Sequence, residues 1–408
     1  MKRMLWTRAV VPLATASAAL AVASPALAAN CDTLPGPLYI TGSSAAKPFI
    51  AGLGTALAGT TTLVYSSPGS CNGVDAIFNG TLMTGTATYW DSTGTAQMCT
   101  INPVGGVTVD VGISDVFSSS CAGFGAPPAG TADFFGPHQV MNFVVPTASS
   151  QTLISAEAAY FAFGFGMNGM AAPWTNETFI FQRGAASGTQ SMLAAAIAVP
   201  PTKWKGVTVA NGSAGMFTSV STSTSPEATI GILASDVADG STKDPTTMAL
   251  VPNRSKIKIL AYQHFKQDCG WLPDSSSTAY DKKNVRDGHY PLWGPLHFFA
   301  KVDGTNTPTN AAAAKFIGYF TGKVATPAAV NLLQLEIQNH TVPSCAMHVQ
   351  RSAEVGPVSS FKAASSCDCY FDFTATGATT CKTCAAAADC TGNTTCTMYG
   401  TSGYCEAK

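Results

Sequence analysis

Charge is scarce in this chain. Only 11% of its 408 residues are Asp, Glu, Lys or Arg. Setting aside Lys2, Arg3 and Arg8 near the start takes the formal charge from −1 to −4. That balance excludes a strongly basic nucleic-acid binder. No broad positive field gathers anions, so any anion site must work locally. Histidine is sparse too. His138, His264, His289, His297, His340 and His348 show no HExxH or other close metal spacing, and read as packing or surface residues. There is no Walker A loop and no GxSxG elbow. The expectation is a non-enzyme without catalytic residue, metal or cofactor. Past the first residues, no apolar stretch is long and continuous enough to span a bilayer.

The N-terminus carries an address. Its basic start is followed by an Ala-rich apolar stretch from Val10 to Val22 and a small-x-small site at Ala26-Leu-Ala28. Residues 1–28 therefore read as a signal peptide cleaved near Ala28, placing the mature chain in the periplasm or outside the cell. Asn30 before Cys31 does not suit a lipobox, which favours soluble release. The mature chain is long enough for two ordinary domains.

All thirteen cysteines fall after this segment. Export implies oxidation, so disulfides are the default. Cys31, Cys71, Cys99, Cys121, Cys269 and Cys345 are spread along the body, and seven crowd residues 367–405. The odd total leaves one thiol free or bound to a partner. Cys381-Lys-Thr-Cys384 has zinc or redox spacing, but the tail holds no His and five more Cys surround the pair, favouring disulfides. Residues 366–408 read as a separate disulfide-held module of few large apolar residues.

The body alternates strand-like and helical patterns, an α/β signature. Expected strands are Leu38–Thr41, Thr62–Tyr65, 107–113, 138–145, Thr178–Phe181 and Thr229–Leu233, with a return crossing over 290–300. Helical spacing runs through Phe49, Leu53 and Leu57, through Val74, Ile77 and Phe78, and over 155–163, 311–320 and 327–337. Residues 80–107 read as an inserted hairpin stapled by Cys99. Trp174, Trp271 and Trp293 fit core packing better than a cleft lining.

Ser/Gly turns follow these strands, at the strand ends where ligands of α/β sheets bind. The strongest is Arg183-Gly-Ala-Ala-Ser-Gly-Thr-Gln190, in which Ser187 and Gln190 have capping-box spacing ahead of an apolar helix. A helix start offers free N–H groups and partial positive charge, and an added guanidinium and hydroxyls suit an oxyanion. A capped surface helix beside an unrelated Arg is the plain alternative. For Asp115, Ser44 and Ser70 the plain alternative is a helix cap.

Four such segments occur in order: Thr41-Gly-Ser-Ser-Ala45, Gly69-Ser-Cys-Asn-Gly-Val74, Val109-Asp-Val-Gly-Ile-Ser-Asp115 and Arg183–Thr189. Together, across about residues 36–345, they resemble the phosphate-binding proteins of bacterial ABC importers. The resemblance implies a type II periplasmic-binding-protein fold: two Rossmann-like α/β lobes closing on a tetrahedral anion, here with a small disulfide-rich C-terminal module. The expected divisions are lobe 1 over 29–146 and 289–365, lobe 2 over 147–288, and a tail over 366–408. Ser43, Ser44, Ala45, Ser70, Asp115, Arg183, Ser187, Gly188 and Thr189 would form the ligand site. Asp115 would accept the proton of a protonated phosphate, and Arg183 would meet the anion's charge. The chain departs from the family at Ala46-Lys47, where Thr-Phe is common, and at Ala185, where an Asp usually accompanies the Arg.

The expected partners are inorganic phosphate or a similar oxyanion and an ABC permease, with no nucleic acid. The tail's partner and the oligomeric state are left open. A secreted surface or adhesion protein that keeps the fold and attaches through its tail is the alternative. A phosphoester hydrolase is disfavoured because no metal cluster or activated nucleophile is visible.

Overall fold

The computed structural model describes residues 29–101, 104–243 and 246–408. Residues 1–28, where the sequence leads one to expect a signal peptide, lie outside the described residues. The chain opens with β1 (Ala29–Asn30), β2 (Pro37–Gly42), α1 (Lys47–Leu57), β3 (Thr62–Ser66) and α2 (Ser70–Phe78). Pro48 sits in the first turn of α1, where a missing N–H costs nothing. Phe49, Ile50, Leu53 and Leu57 then share the buried face. The insertion is a hairpin, β4 (Thr86–Trp90) and β5 (Ala96–Thr100), with Cys99 bonded to Cys31 beside β1.

β6 (Val111–Ser114) is shorter than the expected strand over 107–113. Asp110 turns its carboxylate onto the Tyr39 N–H at 2.9 Å, and Val107 only bridges Met83. β7 (Thr131–Pro146) is longer than expected. There follow β8 (Leu153–Ser155), α3 (Ala156–Phe165), β9 (Phe181–Gln182), α4 (Gly188–Ala196), β10 (Val207–Thr208), α5 (Gly212–Ser221), β11 (Gly231–Ala234) and α6 (Ser235–Ala238). The first half of the strand expected over 178–181 is instead part of a 3-10 turn, Glu177–Phe179, because the Asn176 side chain accepts from the Thr178 N–H. A small hairpin, β12 (Ser241–Lys243) and β13 (Leu250–Pro252), precedes β14 (Ile257–Ile259), β15 (Ala261–Gln263) and α7 (Lys283–Arg286). The chain returns through β16 (Trp293–Lys301), α8 (Ala311–Phe320) and α9 (Leu332–Gln338).

Among the described residues the main sheet runs β1-β5-β4-β3-β2-β6-β16-β7-β11, with β14 also on β7. β2 pairs in parallel with β3 and β6, as a β-α-β layer requires. β7 is the link. Its first part, to Val140, pairs with β16, and its second part, from Met141, pairs with β11 and β14. The outgoing β7 and the returning 290–301 thus join two α/β lobes. One hydrophobic cluster lies under α1 and α8, built from Leu38, Ile40, Phe49, Leu53, Phe298 and Phe316. A larger one runs along α2 and through the second lobe. Trp174 and Trp293 are in that core, and Trp271 stacks on His289.

Every cysteine but the exposed Cys269 is in a disulfide, including Cys71–Cys121. The tail holds three internal bonds, Cys369–Cys381, Cys384–Cys396 and Cys390–Cys405. A fourth, Cys345–Cys367, ties it to the body. Helix α10 (Asp368–Thr376) docks Tyr370 and Phe371 into the larger cluster. Buried Arg286 reaches Asp368 and Asp372, each at 2.6 Å.

Candidate functional site

The turn after β2 is set by Gly42. Its φ is +134°, and a Cβ there would lie 1.9 Å from the Ile113 carbonyl oxygen, so only glycine lets the turn lie against β6. The next residue, Ser43, is fully buried, and its hydroxyl accepts from the Ala45 N–H at 3.0 Å while donating to Asp115 Oδ1. Ser70 opens α2 and donates to Asp115 Oδ2 at 3.0 Å. The Asp115 N–H returns a bond to Ser70 Oγ at 3.2 Å. Asp115 is therefore no helix cap. It is a buried carboxyl at the end of β6, held by hydroxyls from the two neighbouring turns. Burial pushes its pKa up, while Ser43, Ser70 and Arg183 pull against that rise. The Tyr65 hydroxyl donates to the Ser43 carbonyl from behind.

The second lobe meets this cluster through the start of α4. Ser187 caps it, its hydroxyl accepting from the Gln190 N–H at 3.4 Å. Gln190 does not close the expected box. Its Oε1 accepts instead from the N–H groups of Arg183 and Gly184, at 2.7 and 2.8 Å, fixing the loop that carries the guanidinium. Gly188 and Thr189 follow, with N–H groups that precede the first intrahelical bond. Gly188 touches the first lobe directly: a Cβ there would lie 2.3 Å from Ser70 Oγ and 2.8 Å from Asp115 Oδ2. The Cys71 N–H also donates to the Ala186 carbonyl at 3.2 Å. The two lobes are closed on each other at this point.

Arg183 projects beside the contact, and its Nη1 donates to Ser213 Oγ, on α5, at 2.6 Å. Burial lowers its pKa, and Asp115 and Asp236 raise it. Position 185 brings no local carboxylate, and the acidic charges that act on Arg183 come from Asp115 and from Asp236 of α6. A cavity of about 570 Å³ opens on this flank, lined by Ser44, Lys47, Trp90, Asn211, Ser213 and Asp236 among others. Ala45 is buried behind it, with its carbonyl accepting from Gln139 at 3.5 Å.

The structure therefore gathers Ser43, Ser70, Asp115 and Gly188 into one contact, with Ser187 and Thr189 on the same helix start. Ser44 faces the cavity, and Arg183 bonds Ser213 on its wall. Asp236 and Ser213 were missed from sequence. Asp236 had a signal: a Ser-Asp pair, Ser235-Asp236, follows the strand-like run 229–233 as Ser114-Asp115 closes the run 107–113. Ser213 had none, because a serine in the first turn of a helix is unremarkable without its neighbour.

No family model and no curated protein matches the chain. Among solved structures, the chain is similar to an ABC-type phosphate transport receptor from Vibrio cholerae, at 12% identity over 76% of this chain and 100% of that one, with a TM-score of 0.44. A high-affinity periplasmic phosphate-binding protein bound with phosphate is similar at 15% identity, over 75% of this chain and 90% of that one, with a TM-score of 0.46. PstS from Borrelia burgdorferi is similar at 12% identity, over 76% and 98%, with a TM-score of 0.36.

Proposed function

We propose that the chain is an exported, non-enzymatic solute-binding protein. It captures inorganic phosphate or a related tetrahedral oxyanion between lobe 1 (29–146 with 289–365) and lobe 2 (147–288), for delivery to an ABC permease. One observation carries this reading: two serine hydroxyls converge on the buried Asp115, and the capped α4 start that follows the Arg183 loop packs against them. A desolvated oxyanion needs its lone pairs filled by donors, and Ser44, Ser187, Thr189, the N–H groups at the start of α4 and Arg183 supply them, while Ser43 and Ser70 border the site with their hydroxyl protons on Asp115. Ala45 contributes through its backbone.

Asp115 supplies the selectivity. A carboxylate repels a fully ionised anion but accepts a hydrogen bond from a protonated oxygen. Phosphate keeps a proton near neutral pH and sulfate does not, so phosphate is favoured.

The test is calorimetry of the mature chain with inorganic phosphate, beside Arg183→Ala. Loss of a charge-assisted contact in a closed site costs about 2–5 kcal/mol. Equal affinity in the mutant would exclude the assigned site.

A second reading, a surface protein attached through its tail, is favoured by the linkage of residues 366–408 to the body through Cys345–Cys367 and Arg286. Loss of cell-surface retention on deleting that segment would support it.

A further inference from the structure

We infer that Asp236 is a second ligand-facing carboxyl, which makes capture of a tetrahedral anion in this cleft take up a proton from solvent. The inference rests on the phosphate reading of the cleft. Asp236 lines the cavity between α1 and α5, with Ser44, Lys47, Asn211 and Ser213 around it. Its Oδ1 is buried and has no hydrogen-bond partner. A buried carboxylate oxygen without a donor is costly, and the cheapest relief is a proton or a protonated ligand oxygen.

The charges around it lead to the same conclusion. Asp115 and Arg183 face Asp236 across the cleft, and Tyr65 of β3 lies within its field. Lys47 stands exposed on the same cavity wall. α5 and β11 bring no charged residue. Arg254, from the turn beside α6, is already committed to Asp239 and Asp274. Two carboxyls therefore lie within the field of one half-buried guanidinium, whose Nη1 is bonded to Ser213. Adding a doubly charged phosphate to that set without a proton would concentrate negative charge in a desolvated gap. Burial and Asp115 already hold the Asp236 carboxyl up at about 7.

The occupied cleft would hold one hydrogen between Asp236 and an anion oxygen, in addition to the one that Asp115 accepts. The proton comes from bulk water, and its position on either oxygen leaves the count unchanged. The ligand class is then a tetrahedral anion with at least two protonatable oxygens, such as phosphate or arsenate. In Asp236→Asn the amide donates without titrating.

The experiment is calorimetry of the mature chain with inorganic phosphate at pH 6 and pH 8.5, in paired buffers of unlike ionisation enthalpy. At pH 8.5 the wild type should take up about one more proton per phosphate than Asp236→Asn. Its affinity should fall with pH more steeply by up to about tenfold per unit above pH 7, as linkage of one proton requires. At pH 6, where Asp236 already carries its proton, the two should agree in proton count. Phosphate binding with the same proton count and pH slope in both proteins would overturn the inference alone. If Asp236→Asn does not fold, binding by the wild type at pH 8.5 without proton uptake overturns it equally. No phosphate binding by the wild type at either pH would overturn the phosphate reading as well.

Discussion

Gly188→Ala isolates closure from chemistry, because the added methyl changes no charge and no donor. In the closed arrangement it would lie 2.3 Å from Ser70 Oγ, against about 3.4 Å for ordinary contact, a shortfall of about 1.1 Å. Ser70 Oγ can rotate away only by giving up its bond to Asp115 Oδ2. Even then the methyl would meet Asp115 Cβ at 2.9 Å, and that atom is fixed to the end of β6. The start of α4 must therefore back off. Overpacking of this kind costs about 1–3 kcal/mol. The cost falls on the closed form, since alanine is the better helix former by about 1 kcal/mol. Phosphate affinity measured by calorimetry should drop about 5- to 150-fold, and small-angle scattering should report a larger radius. Gly125→Ala is the control, with nothing near its added methyl. Gly188→Ala affinity within about twofold of wild type, under ~0.5 kcal/mol, with an unchanged radius would refute the idea that binding needs this contact.

Other outcomes follow from the same geometry. Asp115→Asn should narrow the preference for phosphate over sulfate, since an amide donates where a carboxylate repels, and competition binding reads the ratio directly. Thiol titration of the unfolded, unreduced chain should find a single thiol, Cys269, and removal of 366–408 should expose a second at Cys345 while leaving phosphate affinity nearly unchanged. Replacing Cys345 and Cys367 together with serine should lower stability by up to about 3 kcal/mol, read as a shift in thermal midpoint. His348 is held between Asp287 and Asp368, and the hydrogen bond it donates to Asp368 raises its pKa. A raised His pKa stabilises most below the unfolded value of about 6.5 and loses that contribution as pH rises through the folded value. The thermal midpoint should therefore fall more on His348→Ala at pH 6 than at pH 9, and equal falls would show that the ring acts by packing alone.

Sequence alone determined what rests on local chemistry. The glycine and serine turns were legible because strand ends announce themselves in alternation and in Gly-Ser breaks. The Ser187 cap was legible because capping lies within one turn of backbone. The oxidised tail followed from cysteine spacing, and Cys31–Cys99 was foreseen as a staple though not as a pair. Only the tertiary structure decided the rest. Gln190 is a capping-box residue by spacing, yet it serves the Arg183 loop, because side-chain amides take whichever donors the fold brings near. Asp115 is a cap by local rules, yet in the fold it caps no helix and is a buried carboxyl, because Ser43 and Ser70 reach it from turns 72 and 45 residues away. Asp236 carries the same Ser-Asp signature but lies on the other lobe, and nothing along the chain sets which carboxyls will lie within the field of one guanidinium. Periodicity and capping depend on neighbours in sequence, whereas burial, charge pairing and the meeting of Gly188 with Asp115 depend on distances that exist only once the two lobes are folded and closed.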